Sequence, residues 1–230
     1  MPHYRSKVRS IPDRKRRFPL RLSLPGHLRV RLNAENLRVE RGGRTVLNGL
    51  GFTLDAGEAL AVTGPNGAGK STLLRALAGL LPLASGKIHV SGGDPERSLA
   101  EDMHILGHAD GVKNPLTAAE NVAFWADFLD GDLGAVATAL DAVGLAHAAE
   151  LPAAFLSAGQ KRRLALTRLI VARRDVWLLD EPATALDTDG LSRLDALVEI
   201  HRAGGGMVVA ATHADLGWPG LKRMVLGSAV

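Results

Sequence analysis

The chain of 230 residues contains no cysteine. That absence excludes a disulfide framework, Cys-ligated zinc, iron–sulfur clusters and thiol catalysis, and it fits a reducing compartment. Long apolar runs are missing as well. The most apolar stretches, such as residues 207–212, fall far short of the ~20 residues that a membrane-spanning helix needs. Acidic residues are scarce in one place only: residues 1–31 hold ten Lys or Arg against the single Asp13. The whole chain has 28 basic and 24 acidic residues and a formal charge of +4, which leaves 18 basic and 23 acidic beyond residue 31, a net of −5. The basicity belongs to the tail, and the mildly acidic body argues against a nucleic-acid partner.

With 46% hydrophobic residues there is enough apolar material for the core of one domain. Residues 1–31 take little part in it. They contain four prolines and no helical or strand period, a composition that predicts disorder. Three readings of this basic extension stand side by side: an Arg-rich targeting peptide, a basic arm for a membrane or nucleic acid, or a start codon assigned too early, with translation beginning near Val30. Patterned sequence begins abruptly at Leu32, so a single domain is expected over 32–230.

Residues 32–39 and 46–54 alternate around Gly42-Gly43, which reads as a hairpin-rich antiparallel β segment. Residues 59–63 form a short apolar run ahead of a glycine-rich turn, the pattern of a buried parallel strand feeding a helix. That helix is expected over 70–80, with Leu73, Leu74, Leu77 and Leu80 on one face. Residues 88–90 and 104–106 are strand-like, and 118–151 have the helical spacing of an insertion. Helix is expected over 165–171 and 191–201, and buried strands over 176–179 and 207–211. Strands alternating with helices predict an α/β fold: a parallel sheet with an antiparallel β subdomain and a helical insertion at about 108–170.

Gly64-Pro65-Asn66-Gly67-Ala68-Gly69-Lys70-Ser71-Thr72 follows a predicted strand and opens a predicted helix, the context that a P-loop requires. Its glycines allow successive N–H groups to turn inward and make an anion nest, reinforced by the helix N-terminus. Lys70 can then reach the β and γ phosphates of ATP, and the Ser71 hydroxyl is a hard oxygen suited to Mg²⁺. Further along, residues 176–179 are apolar and end in Asp180-Glu181. Both acids therefore emerge at the carboxyl edge of a buried strand, where ligands bind in such sheets. Asp180 is a candidate Mg²⁺ partner, and Glu181 the candidate base for an attacking water.

Leu156-Ser157-Ala158-Gly159-Gln160, followed by Lys161-Arg162-Arg163, lies 20 residues before Asp180 and resembles the signature loop of ATP-binding cassette (ABC) ATPases. Ala185-Leu186-Asp187 resembles the D-loop of that family, and His213, just after the apolar run 207–211, its switch histidine. Five such motifs in order span residues 32–226. The resemblance implies an ATP-dependent, head-to-tail homodimer in which Ser157, Ala158, Gly159 and Gln160 of one copy face the ATP on the phosphate loop of the other.

Three positions depart from the usual pattern of the family. Ala158 replaces a glycine, which matters only if the backbone there has positive φ. His108 stands where glutamine is usual, and its nitrogen suits Mg²⁺ less than an amide oxygen. Arg41 stands where an aromatic residue usually stacks on adenine, a task that a flat guanidinium can share. With the segments 40–44, 48–52, 107–113, 156–163 and 177–187, these departures resemble the ATP-binding subunits of the haem exporters of bacterial cytochrome c maturation. That likeness implies CcmB-like and CcmC-like membrane subunits as partners and a peripheral place on the cytoplasmic face of the inner membrane. The alternatives are the ATPase subunit of another ABC exporter and, from a different class, a soluble ABC ATPase acting on nucleic acid. Such proteins usually carry two cassettes or a long coiled-coil insertion.

Overall fold

Where the structure covers one face of a strand the sequence alternates, and where it covers both the sequence runs apolar. The computed structural model describes residues 30–92 and 98–227. The basic extension expected to be disordered thus lies outside the described residues, apart from Val30 and Arg31. Strand β1 (Arg31–Arg41) pairs antiparallel with β2 (Arg44–Asp55) on one edge and with β4 (Ser85–Ser91) on the other. The β1–β2 hairpin closes through Gly42 and Gly43, both at positive φ.

The second sheet is wholly parallel. Its order is β5 (Met103–Leu106), β6 (Val176–Asp180), β7 (Met207–Ala211), β3 (Ala59–Thr63) and β8 (Lys222–Val225). Because neighbouring side chains on a strand point to opposite faces, the sheet divides the interior in two. Val176 and Leu178 of β6 join a core with Leu32, Leu54, Leu73 and Leu77, beneath the antiparallel sheet. Trp177 and Leu179 join a core with the helices of the opposite layer. This two-sided burial is why β6 and β7 read as unbroken apolar runs.

Helix α1 (Lys70–Leu77) is shorter than expected. It stops at Ala78, and Gly79 turns the chain with φ of 70°. Leu73, Leu74 and Leu77 are fully buried as the spacing predicted, but Leu80, beyond the turn, is 61% exposed. A short α2 (Leu99–Asp102) precedes β5. The insertion contributes α3 (Ala118–Phe128) and α4 (Val136–Ala142), with a 3₁₀ turn at Leu133–Ala135 between them. The helix expected over 165–171 starts earlier: α5 (Ala158–Leu166) and α6 (Arg168–Val171) follow each other through Thr167. α7 (Thr188–Ala203) closes the helical layer. Within that core His201 stacks on Trp177, with ring centroids 3.8 Å apart and planes 6° from parallel. Among the described residues no helix is long and apolar enough to cross a membrane.

Candidate active site

Parallel strands direct all their carboxyl ends to one edge, and here that edge gathers the loops after β3, β5, β6 and β7. Between them and the β1–β2 hairpin lies a cleft of ≈ 880 Å³, within the usual range for small-molecule sites. Its walls include Asn66, Gly67, Gly69, Lys70, Ser71 and Thr72. Gly64 takes φ of 139°, and a Cβ there would overlap the carbonyl of Leu226. Gly69 takes φ of 100° as the residue that opens α1, and a Cβ would stand 3.0 Å from Val46 and Leu47. Only glycine lets the loop turn this tightly while touching the antiparallel sheet.

Lys70 is nearly buried, at 8% exposure. Its Nζ donates to the carbonyls of Gly64 (2.8 Å) and Pro65 (3.2 Å) and lies 2.9 Å from Nε2 of His213. An ammonium only donates, so the His213 Nε2 that faces it carries a lone pair. Asn66 lies 3.0 Å from the same nitrogen and can share it only through the NH₂ end of its amide. His213 therefore sits on the loop itself.

Asp180 ends β6 and is 9% exposed. Glu181 follows in the left-handed region, with φ of 46°, a conformation that costs an L-residue about 1–3 kcal/mol and gathers at functional sites. The turn is pinned on both sides: Glu181 N donates to the Ala211 carbonyl at 2.8 Å, and Arg162 Nη2 donates to the carbonyls of Asp180 and Glu181, each at 2.9 Å. The carboxylate itself is lightly held. Its Oε2 is 3.4 Å from Thr212 Oγ1 and His213 N, and Oε1 is 3.8 Å from His213 Nε2. Asp180, Glu181 and His213 all line the cleft with Lys70 and Ser71.

Arg41 and His108 line it too, at its hairpin end and beside β5. Ser157, Ala158, Gly159 and Gln160 do not. They form the start of α5 as a capping box: Ser157 Oγ accepts from Gln160 N at 3.2 Å, and Gln160 Oε1 accepts from Ser157 N at 2.9 Å. Ala158 lies in the helix and has no positive φ, so its methyl group is harmless, as expected. Gly159 is fixed for a different reason. A Cβ there would lie 2.8 Å from the carbonyl oxygen of Ala185, so the signature and D-loop segments touch within one chain.

Sequence reasoning missed Arg162. The signal was present, since Arg162 falls on the same helix face as the buried Ala165, Leu166 and Leu169, where a charge needs partners.

Residues 47–184 match the family described as ABC transporter. The cytochrome c biogenesis ATP-binding export protein CcmA of Nitrobacter winogradskyi is 52% identical over 200 residues, which cover 87% of this chain and 100% of that protein. Its counterpart in Rhodopseudomonas palustris is 53% identical over 198 residues, covering 86% of this chain and 98% of that protein. Among solved structures, an ABC transporter ATP-binding protein from Pyrococcus furiosus superposes with a TM-score of 0.74 at 22% identity, over 85% of this chain and 97% of that one, which speaks for the fold. With its P-loop, acid pair and helical insertion on one α/β frame, the chain belongs to the ABC transporter ATPases, in the group of cytochrome c biogenesis ATP-binding export proteins.

Proposed function

We propose that this chain hydrolyses ATP in a cleft where Glu181 is the general base, the loop from Gly64 to Thr72 holds the triphosphate, and His213 assists at the γ-phosphate. One observation carries the reading: Lys70, Ser71, Asp180, Glu181 and His213 converge on one cleft from the ends of three adjacent parallel strands. In hydrolysis a bond forms between the water oxygen and the γ-phosphorus while the bond to the β,γ-bridging oxygen breaks. ADP leaves with that electron pair, and the water proton passes to Glu181. The Ser71 hydroxyl and the nearly buried Asp180 carboxylate are hard oxygen donors on the same cleft, a set that fits Mg²⁺. A bound Mg²⁺ supplies charge neutralisation on the β and γ phosphates.

The test separates binding from chemistry. Glu181→Gln is expected to keep ATP affinity while turnover falls about 10²–10⁴-fold, the usual worth of a general base. Lys70→Ala is expected to weaken binding itself, because its charge meets the phosphates in ground and transition state alike. Unchanged turnover in Glu181→Gln refutes the assignment.

The proposed working unit is a homodimer closed by ATP. Ser157 and Ala158 are exposed at the start of α5, outside the chain's own cleft, which supports their meeting the ATP of a second copy at a helix N-terminus. Domain boundaries of 32–230 follow, with 1–31 as an extension. The names of the relatives support a role in export for cytochrome c biogenesis; haem as the exported group, with CcmB-like and CcmC-like membrane subunits at the cytoplasmic face of the inner membrane, rests on the motif resemblance, and the mildly acidic body supports the lack of a nucleic-acid partner. An aromatic surface on the insertion supports docking there: Phe124, Trp125 and Phe128 pack together while Phe128 is 66% exposed, and Phe155, also in the insertion, is 74% exposed. Membrane fractionation with identification of co-purifying proteins tests this, and a chain found free of membranes and of such partners overturns it.

A further inference from the structure

One guanidinium joins three segments of the site. Arg162 is 3% exposed and makes four hydrogen bonds of 2.9 Å. Nη1 donates to the Gly107 carbonyl and to Asp110 Oδ1, and Nη2 donates to the carbonyls of Asp180 and Glu181. The first pair reaches the segment after β5 that carries His108, and the second reaches the turn after β6 that carries Glu181. Arg162 itself lies in α5, two residues beyond Gln160. The 107–113 segment is held further by Arg168, whose Nη2 donates to the Asp110 carbonyl at 2.9 Å while its guanidinium stacks over Trp125 at 4.5 Å. Burial and the nearby Arg162 lower the pKa of Arg168 to about 10, with Asp110 opposing, so Arg168 stays cationic at neutral pH.

Burying a guanidinium such as that of Arg162 is costly unless its donors are satisfied, so its placement demands a reason. The turn supplies one. Glu181 holds a left-handed φ, its carboxylate has only contacts of 3.4 Å or longer, and the position of that carboxylate is therefore set by the backbone. Two successive carbonyls that converge on one nitrogen hold the two peptide planes flanking Glu181 in a single orientation. A lysine offers its donors from one point and cannot span both pairs of acceptors as the planar fork does.

We propose that Arg162 is a positioning residue for hydrolysis: by gripping the carbonyls of Asp180 and Glu181 it aims the Glu181 carboxylate, and through Gly107 and Asp110 it links that aim to the His108 segment and to the start of α5. The inference rests on Glu181 being the base. The experiment uses the full-length chain with Arg162→Lys, Glu181→Gln and the double variant. Thermal melting, affinity for a fluorescent ATP analogue, and kcat are read for each. Arg162→Lys is expected to melt cooperatively, to bind nucleotide within threefold of the wild type, and to lose about 10–100-fold in kcat, a share of the worth of a well-aimed base. Added to Glu181→Gln, it is expected to change the residual kcat by less than threefold, because a carboxylate that is absent cannot be misaimed. Wild-type kcat in Arg162→Lys overturns the proposal, and so does an equal loss in both backgrounds or a parallel loss of affinity and kcat. Wild-type kcat in Glu181→Gln instead removes the base assignment on which it rests. Should Arg162→Lys not fold, Asp110→Ala decides: it removes the carboxylate that anchors Nη1, so the guanidinium is held less firmly against the two carbonyls, kcat is expected to fall severalfold with nucleotide affinity unchanged, and a wild-type kcat overturns the proposal.

Discussion

Lowering the pH from 7.5 to 5 is expected to strip this protein of much of its stability through two buried histidines. His104 and His201 are 5% and 7% exposed. Burial pushes the His104 pKa down to about 4 and that of His201 to about 3. The opposing pull is weaker: carbonyl hydrogen bonds to Ala172 at 2.6 Å for His104 and to Met207 at 3.3 Å for His201. An unfolded histidine titrates near 6.5. Between that value and the native ones the unfolded chain binds more protons, so stability is full above pH 6.5 and falls as pH drops below it. At pH 5 each histidine costs about 2 kcal/mol by linkage and the pair about 4, a large share of the ~5–15 kcal/mol by which domains are stable. With a urea slope of about 2–3 kcal/mol per molar, the unfolding midpoint followed by far-UV circular dichroism should drop by ~1.5 M. His104→Gln, which keeps a donor for the Ala172 carbonyl, should remove about half of that drop. A midpoint that moves by less than ~0.5 M, or a variant as acid-sensitive as the wild type, refutes the reasoning.

Other perturbations have expected outcomes as well. Arg41→Tyr should tighten ATP binding and raise the preference for ATP over GTP in kcat/KM, since a ring stacks on adenine by about 1–3 kcal/mol, whereas the wild type should discriminate the two less than tenfold. Gly159→Ala should lower the melting temperature and kcat by driving a methyl group into the Ala185 carbonyl, while Ala158→Gly, at ordinary helical φ, should change kcat less than twofold. Lys113→Glu, which removes a cation 4.2 Å from the Phe124 ring, should loosen the chain from membranes with its own ATPase intact. Glu120→Lys should also cost about 1 kcal/mol of stability, because Glu120 Oε2 accepts from Thr117 N in the capping box of α3. Removal of residues 1–29 should leave the melting temperature and turnover unchanged, and a large drop in either would show that they pack on the domain.

Motifs were legible where local chemistry demands particular residues. Strand β3, the phosphate loop and strand β7 stand where periodicity and glycine spacing put them, because a strand buried on both faces admits little but apolar residues. The start of α5 was less visible, since Ser157 and Gln160 serve both the signature pattern and a helix cap, and the polar run from Gln160 to Arg163 hides the helical period. β8 is an edge strand, and in Lys222-Arg223-Met224-Val225 only Met224 is even half-buried, so no alternation announces it. The Arg162 junction could not be read beyond the burial that its helical spacing marks. It depends on Gly107, Asp110, Asp180 and Glu181 being near one another, which only the tertiary fold arranges.

The division of the interior by the parallel sheet also governs how the molecule comes apart. The helical insertion packs on α5 and α6 within the core on one side of that sheet, the antiparallel sheet lies on the other side, and the two cores meet through strands such as β6 and β7. Opening of α3 and α4 can therefore occur while Leu32, Leu54 and Leu73 stay dry, as a local event of lower free energy than global unfolding. In amide exchange, Leu178 and Val209 should be among the last to yield their protons. Glu181 hangs from the end of β6, one of those slowest strands, and the phosphate loop from β3, which pairs with β7, while the insertion belongs to the part that loosens first.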